Sequence, residues 1–225
     1  MAAPVHVLQL KLDDLIDVPI RTVIIAGWTG RDQAALQKHI AELEALGVKP
    51  PTSTPIFYRV AASRLTTAPV IEVTGESSSG EVEFVLLHHG GRLWVGIGSD
   101  HTDRDVETYN ITVSKQMCEK PVSGEFWEIS SVAEHWDSLV LRSYVHEAGE
   151  RTLYQEGPLS AMLSPAELLS CWRAPLEEGT LMFCGTLAAH GGIRPSSSFE
   201  FELEDPILER RLSHAYDILS LPVAG

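Results

Sequence analysis

Most apolar segments of this chain alternate with a period of two and stop at turn residues, which is the signature of many short strands and not of a helical bundle. The strands expected on this basis cover 5–12, 22–26, 56–60, 69–74, 81–87, 92–98, 139–146, 151–155, 180–184, 198–204 and 212–219. Helical spacing stands out in two places. Over 31–46, Leu36, Ile40 and Leu43 recur on one face, Thr29 or Asp32 can cap the start, and Gly47 suits a left-handed end position. Over 164–172, Ser164-Pro165 supplies an N-cap followed by proline at the first helical position, and Glu167 completes a capping box. Residues 131–137 are compatible with a third helix. The expectation is a mostly β (α+β) chain with a few short helices. Residues 1–66 would form a small N-terminal lobe and 67–225 a β-rich core, with the stiff Pro50–Pro55 stretch joining the helix to the next strand.

A length of 225 residues, 44% of them hydrophobic and 21% charged, is enough to bury a sizeable core. The formal charge of −14 argues against nucleic acid and anionic membrane surfaces as partners, because both demand a cationic face. Three widely spaced cysteines, Cys118, Cys171 and Cys184, form no CxxC pair, so neither a disulfide framework nor a thiolate zinc site is expected, and a reducing cytoplasm fits. No apolar run reaches the roughly 18 to 20 residues of a membrane helix, and the opening Met-Ala-Ala-Pro-Val-His does not read as a secretory signal.

Two segments concentrate chemistry. In Gly80-Glu81-Val82-Glu83-Phe84-Val85-Leu86-Leu87, a strand puts Glu81 and Glu83 on one face with Val85 and Leu87, about 6.6 Å apart along the backbone. That pattern suits either a polar strand end or a divalent cation, which would relieve a carboxylate repulsion on the order of 4 kcal/mol at 4 Å and an effective dielectric of 20. The run Gly98-Ser99-Asp100-His101-Thr102-Asp103-Arg104-Asp105-Val106-Glu107 follows a buried strand and reads either as a site or as an acidic helix start. Other templates fail: there is no Gly-x-Ser-x-Gly elbow, no P-loop and no complete dinucleotide loop. His88-His89 before Gly90-Gly91 reads as a hairpin turn.

Taken in chain order, these clusters resemble the fumarylacetoacetate hydrolase superfamily, in a divergent subfamily, over about residues 36 to 219. The carriers are Ser79-Gly80-Glu81-Val82-Glu83, then Gly98-Ser99-Asp100-His101-Thr102-Asp103-Arg104, then Ser114-Lys115-Gln116. The resemblance implies a mixed β-roll core, a homodimer, and Mg²⁺ or Mn²⁺ held by Glu81, Glu83 and Asp100. It aligns His39-Ile40-Ala41-Glu42 with a lid dyad that activates water, and Lys115 with a lysine that stabilises enolate charge, Lys120 being a weaker match for that place. It further implies substrate contacts from Arg59, Arg104, Glu107, Gln155, Gly185 and Thr186, with Arg59 clamping a second carboxylate.

The sequence also departs from that pattern. Glu107 replaces a family glutamine, Arg59 replaces a lysine, Leu187 replaces the proline after Gly185-Thr186, and Thr180 replaces the aspartate after Gly179. The activity the resemblance implies is metal-dependent hydrolysis of a C–C bond in a small anionic 2-oxo or 1,3-dicarbonyl acid, with His39, oriented by Glu42, as general base. Decarboxylation, hydration or tautomerisation of an oxo acid on the same scaffold is the first alternative. A non-catalytic organic-acid-binding module is the second.

Overall fold

The computed structural model describes residues 4–45, 50–147, 149–172 and 174–224; of positions 39, 42, 43 and 45 it describes the backbone alone. In chain order, β1 (His6–Lys11) and β2 (Leu15–Ile20) form a hairpin, and β3 (Thr22–Gly27) leads into α1 (Gln33–Ala45). There follow β4 (Ile56–Val60), β5 (Leu65–Thr66), β6 (Val70–Thr74), β7 (Ser78–Ser79), β8 (Val82–His89), β9 (Arg92–Ser99) and β10 (Thr102–Asp103). Two short helices, α2 (Arg104–Glu107) and α3 (Ile111–Met117), precede β11 (Lys120–Pro121), β12 (Trp127–Glu128), β13 (Val140–Glu147) and β14 (Glu150–Pro158). Helix α4 (Pro165–Trp172) and strands β15 (Thr180–Phe183), β16 (Ser198–Asp205) and β17 (Arg210–Leu221) complete the chain.

Two sheets carry the fold. One has six strands in the order β12-β9-β8-β15-β3-β4, the other five in the order β14-β13-β16-β17-β6. The first sheet runs across the expected boundary at residue 66, because β3 and β4 are two of its strands. Between the sheets, Phe84, Leu86 and Ile97 from one side meet Phe199, Phe201 and Tyr216 from the other. On the opposite face of the six-stranded sheet, Val85, Leu87 and Phe183 pack against Leu10, Val18 and Ile20 of the β1–β2 hairpin. Strand β8 is therefore covered on both faces, which is why its apolar residues run without interruption from Phe84 to Leu87. Each fully buried side chain of that size contributes about 1.5–3 kcal/mol.

The caps follow the sequence. Asp32 Oδ1 accepts from the N–H groups of Ala34 and Ala35 at 3.0 Å, so Asp32 and not Thr29 caps α1. Ser164 and Glu167 form the reciprocal capping box at α4, with Glu167 Oε2 2.7 Å from the Ser164 N–H. Residues 133–138 form a 3₁₀ segment where a helix was compatible with the pattern. The expected Gly47 cap lies outside the described residues. Among the described residues no helix is long and apolar enough to cross a membrane.

Candidate active site

The site is set up by a hairpin. Gly90 and Gly91, both at positive φ (63° and 69°), make the two-residue turn between β8 and β9, a conformation that suits the type I′ hairpin and costs glycine nothing. The register that follows pairs Glu83 with Gly98 and Val82 with Ser99, and the Asp100 N–H donates to the Glu81 carbonyl at 2.9 Å. Counting from the turn thus places Glu81 directly opposite Asp100, with Glu83 two residues inward on the same face. Gly98, opposite Glu83, carries no side chain because Phe183 and the Pro121 carbonyl stand within 3.0 Å of where a Cβ would be.

Each carboxylate meets a different environment. Asp100 is fully buried, with Lys115 Nζ at 2.5 Å from one oxygen and Lys120 Nζ at 2.9 Å from the other. Burial alone would raise its pKa, but the two ammonium groups outweigh that and hold it well below the ordinary carboxylate range. Glu83 is 3% exposed and accepts the Gly185 N–H at 2.7 Å. Burial, reinforced by the charge on Asp100, pushes its pKa well above the ordinary value. Glu81 is partly buried and pushed up by burial, against the pull of Arg104, whose Nη2 lies 3.5 Å away. Arg104 also binds Glu107 at 2.8 Å and donates through Nε to Ser79 Oγ at 2.7 Å.

Lys115 comes from α3, a helix opened by Asn110, whose side chain accepts from the Val113 N–H. Burial disfavours its charge, but Asp100 and Glu81 override burial and keep the ammonium protonated. Lys120, on β11, is fully buried and also donates to the His101 carbonyl. His101 itself is clamped between Ser78 Oγ and Tyr216 OH, each at 2.9 Å, and burial lowers its pKa to about 3, so it is neutral at pH 7.

A cavity of about 480 Å³ opens onto this cluster, lined by Glu81, Glu83, Arg104, Glu107, Lys115, Gln155, Gly185 and Thr186 together with apolar residues. A larger hollow of about 1020 Å³ lies elsewhere, between Arg31, Ile129, Trp136 and Pro165, and contains none of the residues singled out in the sequence. Its Arg31 and Asp137 are already joined by a two-pronged ion pair. The smaller cavity, with its buried unlike charges, is the better candidate for chemistry.

Two expectations need revising. Arg59 is exposed on β4, on the face opposite Tyr58, and does not line the cavity; strand alternation turns it outward. Gln155 lines the cavity but spends its polar atoms inside the protein. Its Oε1 accepts from the Val82 N–H (3.0 Å) and Ser143 Oγ (2.8 Å), and its Nε2 donates to Thr186 Oγ1 (2.8 Å) and the Leu187 carbonyl (2.6 Å). It ties β8 to the turn after β15. The Thr186 hydroxyl is likewise engaged, donating to the Val82 carbonyl at 2.8 Å. The side chains of His39 and Glu42 lie outside the described residues; position 39 follows Leu36, which lines the cavity, by about one helical turn.

The sequence did not single out Trp28 from the other tryptophans, or Tyr58, as walls of the cavity, and it matched Lys120 only as a weaker alternative to Lys115 when both reach Asp100. Trp28 sits at φ 59°, rare for a bulky residue and typical of functional sites. The flanking glycines of Gly27-Trp28-Thr29-Gly30 were the available signal.

The carboxylates suit a divalent cation in chemistry: all their donors are hard oxygens, and buried Glu83 meets a backbone N–H where a cation would relieve its charge. Among the described residues, however, no three His, Cys, Asp or Glu side chains are arranged to hold an ion in this conformation, since Asp100 faces the two lysines.

The family described as "Protein of unknown function (DUF2848)" matches residues 26–216. No curated protein matches the sequence. Among solved structures, a yeast fumarylacetoacetate hydrolase family protein superposes with a TM-score of 0.66 at 18% identity, covering 91% of this chain and 95% of the other. A protein from Oleispira antarctica, provisionally described as a fumarylacetoacetate isomerase/hydrolase, gives 0.66 at 20% identity over 95% of this chain and 100% of that one. A 2-keto-3-deoxy-D-arabinonate dehydratase complexed with magnesium and 2,5-dioxopentanoate gives 0.62 at 14% identity over 90% and 74%. The fold is therefore that of the fumarylacetoacetate hydrolase-like proteins.

Proposed function

The chain belongs to the DUF2848 family, and we propose that it is a divalent-cation-dependent enzyme that hydrolyses a C–C bond in a small 2-oxo or 1,3-dicarbonyl acid. The observation that carries this reading is the convergence of Glu81, Glu83 and Lys115 on one cavity, with Asp100 buried directly behind Lys115. Mg²⁺ or Mn²⁺ held by Glu81, Glu83 and Asp100 would supply Lewis-acid polarisation of the substrate's oxo and carboxylate oxygens. The Lys115 ammonium, buried and kept charged by Asp100, stabilises negative charge developing on the substrate. Gly185, whose φ of 105° only glycine adopts without strain, lets the backbone close over Thr29 and aims its N–H at Glu83, fixing that carboxylate. His39, with Glu42 to orient it, is the base assigned to water, a role typically worth 10² to 10⁴ in rate. The fold neighbours include both hydrolase-family proteins and a dehydratase, so product identity is the deciding measurement.

The test combines binding with turnover. Melting temperature is followed with and without Mg²⁺ or Mn²⁺ across a panel of oxo acids, for the native chain and for Glu81→Ala/Glu83→Ala. The native chain should be stabilised by the cation and release two shorter products; the double variant should fold but lose both. Cation stabilisation that survives in the double variant would refute the site. His39→Ala should lose hydrolysis while retaining enolisation; unaffected turnover would reassign the reaction to decarboxylation or isomerisation.

A further inference from the structure

We infer that the substrate carries a single carboxylate and an apolar acyl tail, and that the cavity discriminates against a second, distal carboxylate. This rests on the oxo-acid reading above and adds to it the character of the part of the substrate that does not react.

Three observations carry it. The first is the account of charge. Among the described residues that line the cavity, the ionisable side chains include Glu81, Glu83, Glu107, Arg104 and Lys115, three carboxyl groups against two cations. Both cations are already engaged: Arg104 with Glu107 at 2.8 Å and Glu81 at 3.5 Å, Lys115 with Asp100 at 2.5 Å. Arg59, the residue expected to clamp a second carboxylate, stands exposed outside. A distal carboxylate entering this space finds no vacant cation among these groups, and it finds Glu107 on the wall.

The second is the rest of the lining. Away from the carboxylates the cavity is walled by Trp28, Leu36, Tyr58, Ile111, Leu187 and Ile193. Such a surface gains free energy by covering an alkyl or aryl group and loses it by stripping water from a charge without replacement. The third is that part of this wall is held against local preference. Trp28 keeps a left-handed backbone at φ 59° and lines the cavity together with Tyr58, whose hydroxyl its side chain meets. Strain of this kind persists where surrounding structure imposes it and is concentrated at binding sites.

The experiment compares matched 2,4-dioxo acids, R–CO–CH₂–CO–COO⁻, in which R is butyl, phenyl or 2-carboxyethyl, with the full chain and Mg²⁺ or Mn²⁺. The reacting groups are the same, so only R is tested. The butyl and phenyl compounds should exceed the carboxyethyl compound in kcat/KM by roughly thirtyfold or more, given what a buried like charge without a partner costs. Glu107→Gln should narrow that ratio, and Ile111→Arg, which adds a cation to the wall, should narrow it further. Equal or preferred turnover of the carboxyethyl compound by the native chain overturns the inference and leaves the oxo-acid reading standing. If no compound is turned over and none shifts the melting temperature with either metal, the oxo-acid reading fails, and the inference falls with it.

Discussion

The pairing of Asp100 with two lysines can be broken at one end without disturbing the cavity. Lys120→Met removes a fully buried ammonium and keeps an unbranched side chain of similar length. At the observed 2.9 Å and an effective dielectric of 20, the attraction being removed is on the order of 6 kcal/mol. Several of those are returned because the variant no longer has to dehydrate an ammonium group. Asp100 also keeps Lys115 at 2.5 Å, so it is not left as an unpaired buried charge. The expected loss is about 3 kcal/mol, at the low end of what breaking a buried pair costs, or roughly 6–12 °C in Tm for a chain of this size. Urea unfolding at pH 7 without divalent metal measures it directly. A second arm adds Mg²⁺. Lys120 opposes any cation at Asp100, so Mg²⁺ should stabilise the variant more than the native chain. A loss below about 1 kcal/mol would refute the role of Lys120 as counter-ion, and a larger Mg²⁺ effect in the native chain would refute its opposition to metal.

Three further outcomes are expected. Gly185→Ala should cost at least about 3 kcal/mol, because an added Cβ would stand 1.7 Å from Thr29 Oγ1 at a φ of 105°. Combining it with Thr29→Ala should restore only part of the loss, and full recovery on a thermal melt would show that backbone strain contributes nothing. Gln155→Ala strips the partners from the Val82 N–H and the Leu187 carbonyl and should cost about 3 kcal/mol; a change within error would mean that β8 holds its place without this clamp. Asp205 is buried, yet its pKa is lowered: burial pushes it up, but hydrogen bonds from His135, the Leu208 N–H and Arg210 prevail. Since its folded pKa lies below the ordinary 3.8, its stabilisation is present above that value and is lost as pH falls through the folded pKa. Asp205→Asn should therefore lower stability at pH 7 and converge with the native chain in strong acid; a constant difference across the acid range would contradict the linkage.

How much of this was legible in the sequence depended on whether a residue's role had a local signature. Strands such as Ile56–Val60 were readable because alternation is imposed by a buried face. Strand β2, Leu15–Ile20, was not expected: only Val18 and Ile20 are buried there, while Leu15 and Ile16 point outward and Pro19 breaks the pattern. Helix α3 was missed for a related reason. It buries Ser114 and Lys115 in place of an apolar stripe, so it has a chemical face and no hydrophobic one. The Glu81, Glu83 and Asp100 grouping was reached from the sequence through the family resemblance; in the structure the Gly90-Gly91 turn brings the two segments together within one hairpin. That Lys115 and Lys120 both meet Asp100, or that Gln155 is consumed by four internal bonds, depends on contacts between elements that no local spacing encodes.

The two-glycine turn also makes the hairpin a ruler. Glu81 and Asp100 face each other because nine residues run from each of them to the tip of the same turn, Gly90 on one side and Gly91 on the other. Inserting or deleting a single residue between them would slip the pairing by one and send one carboxylate to the opposite side of the sheet. In this stretch length is therefore constrained more tightly than identity: many of its side chains can be exchanged for others of like size, but the chain between residues 81 and 100 cannot be resized.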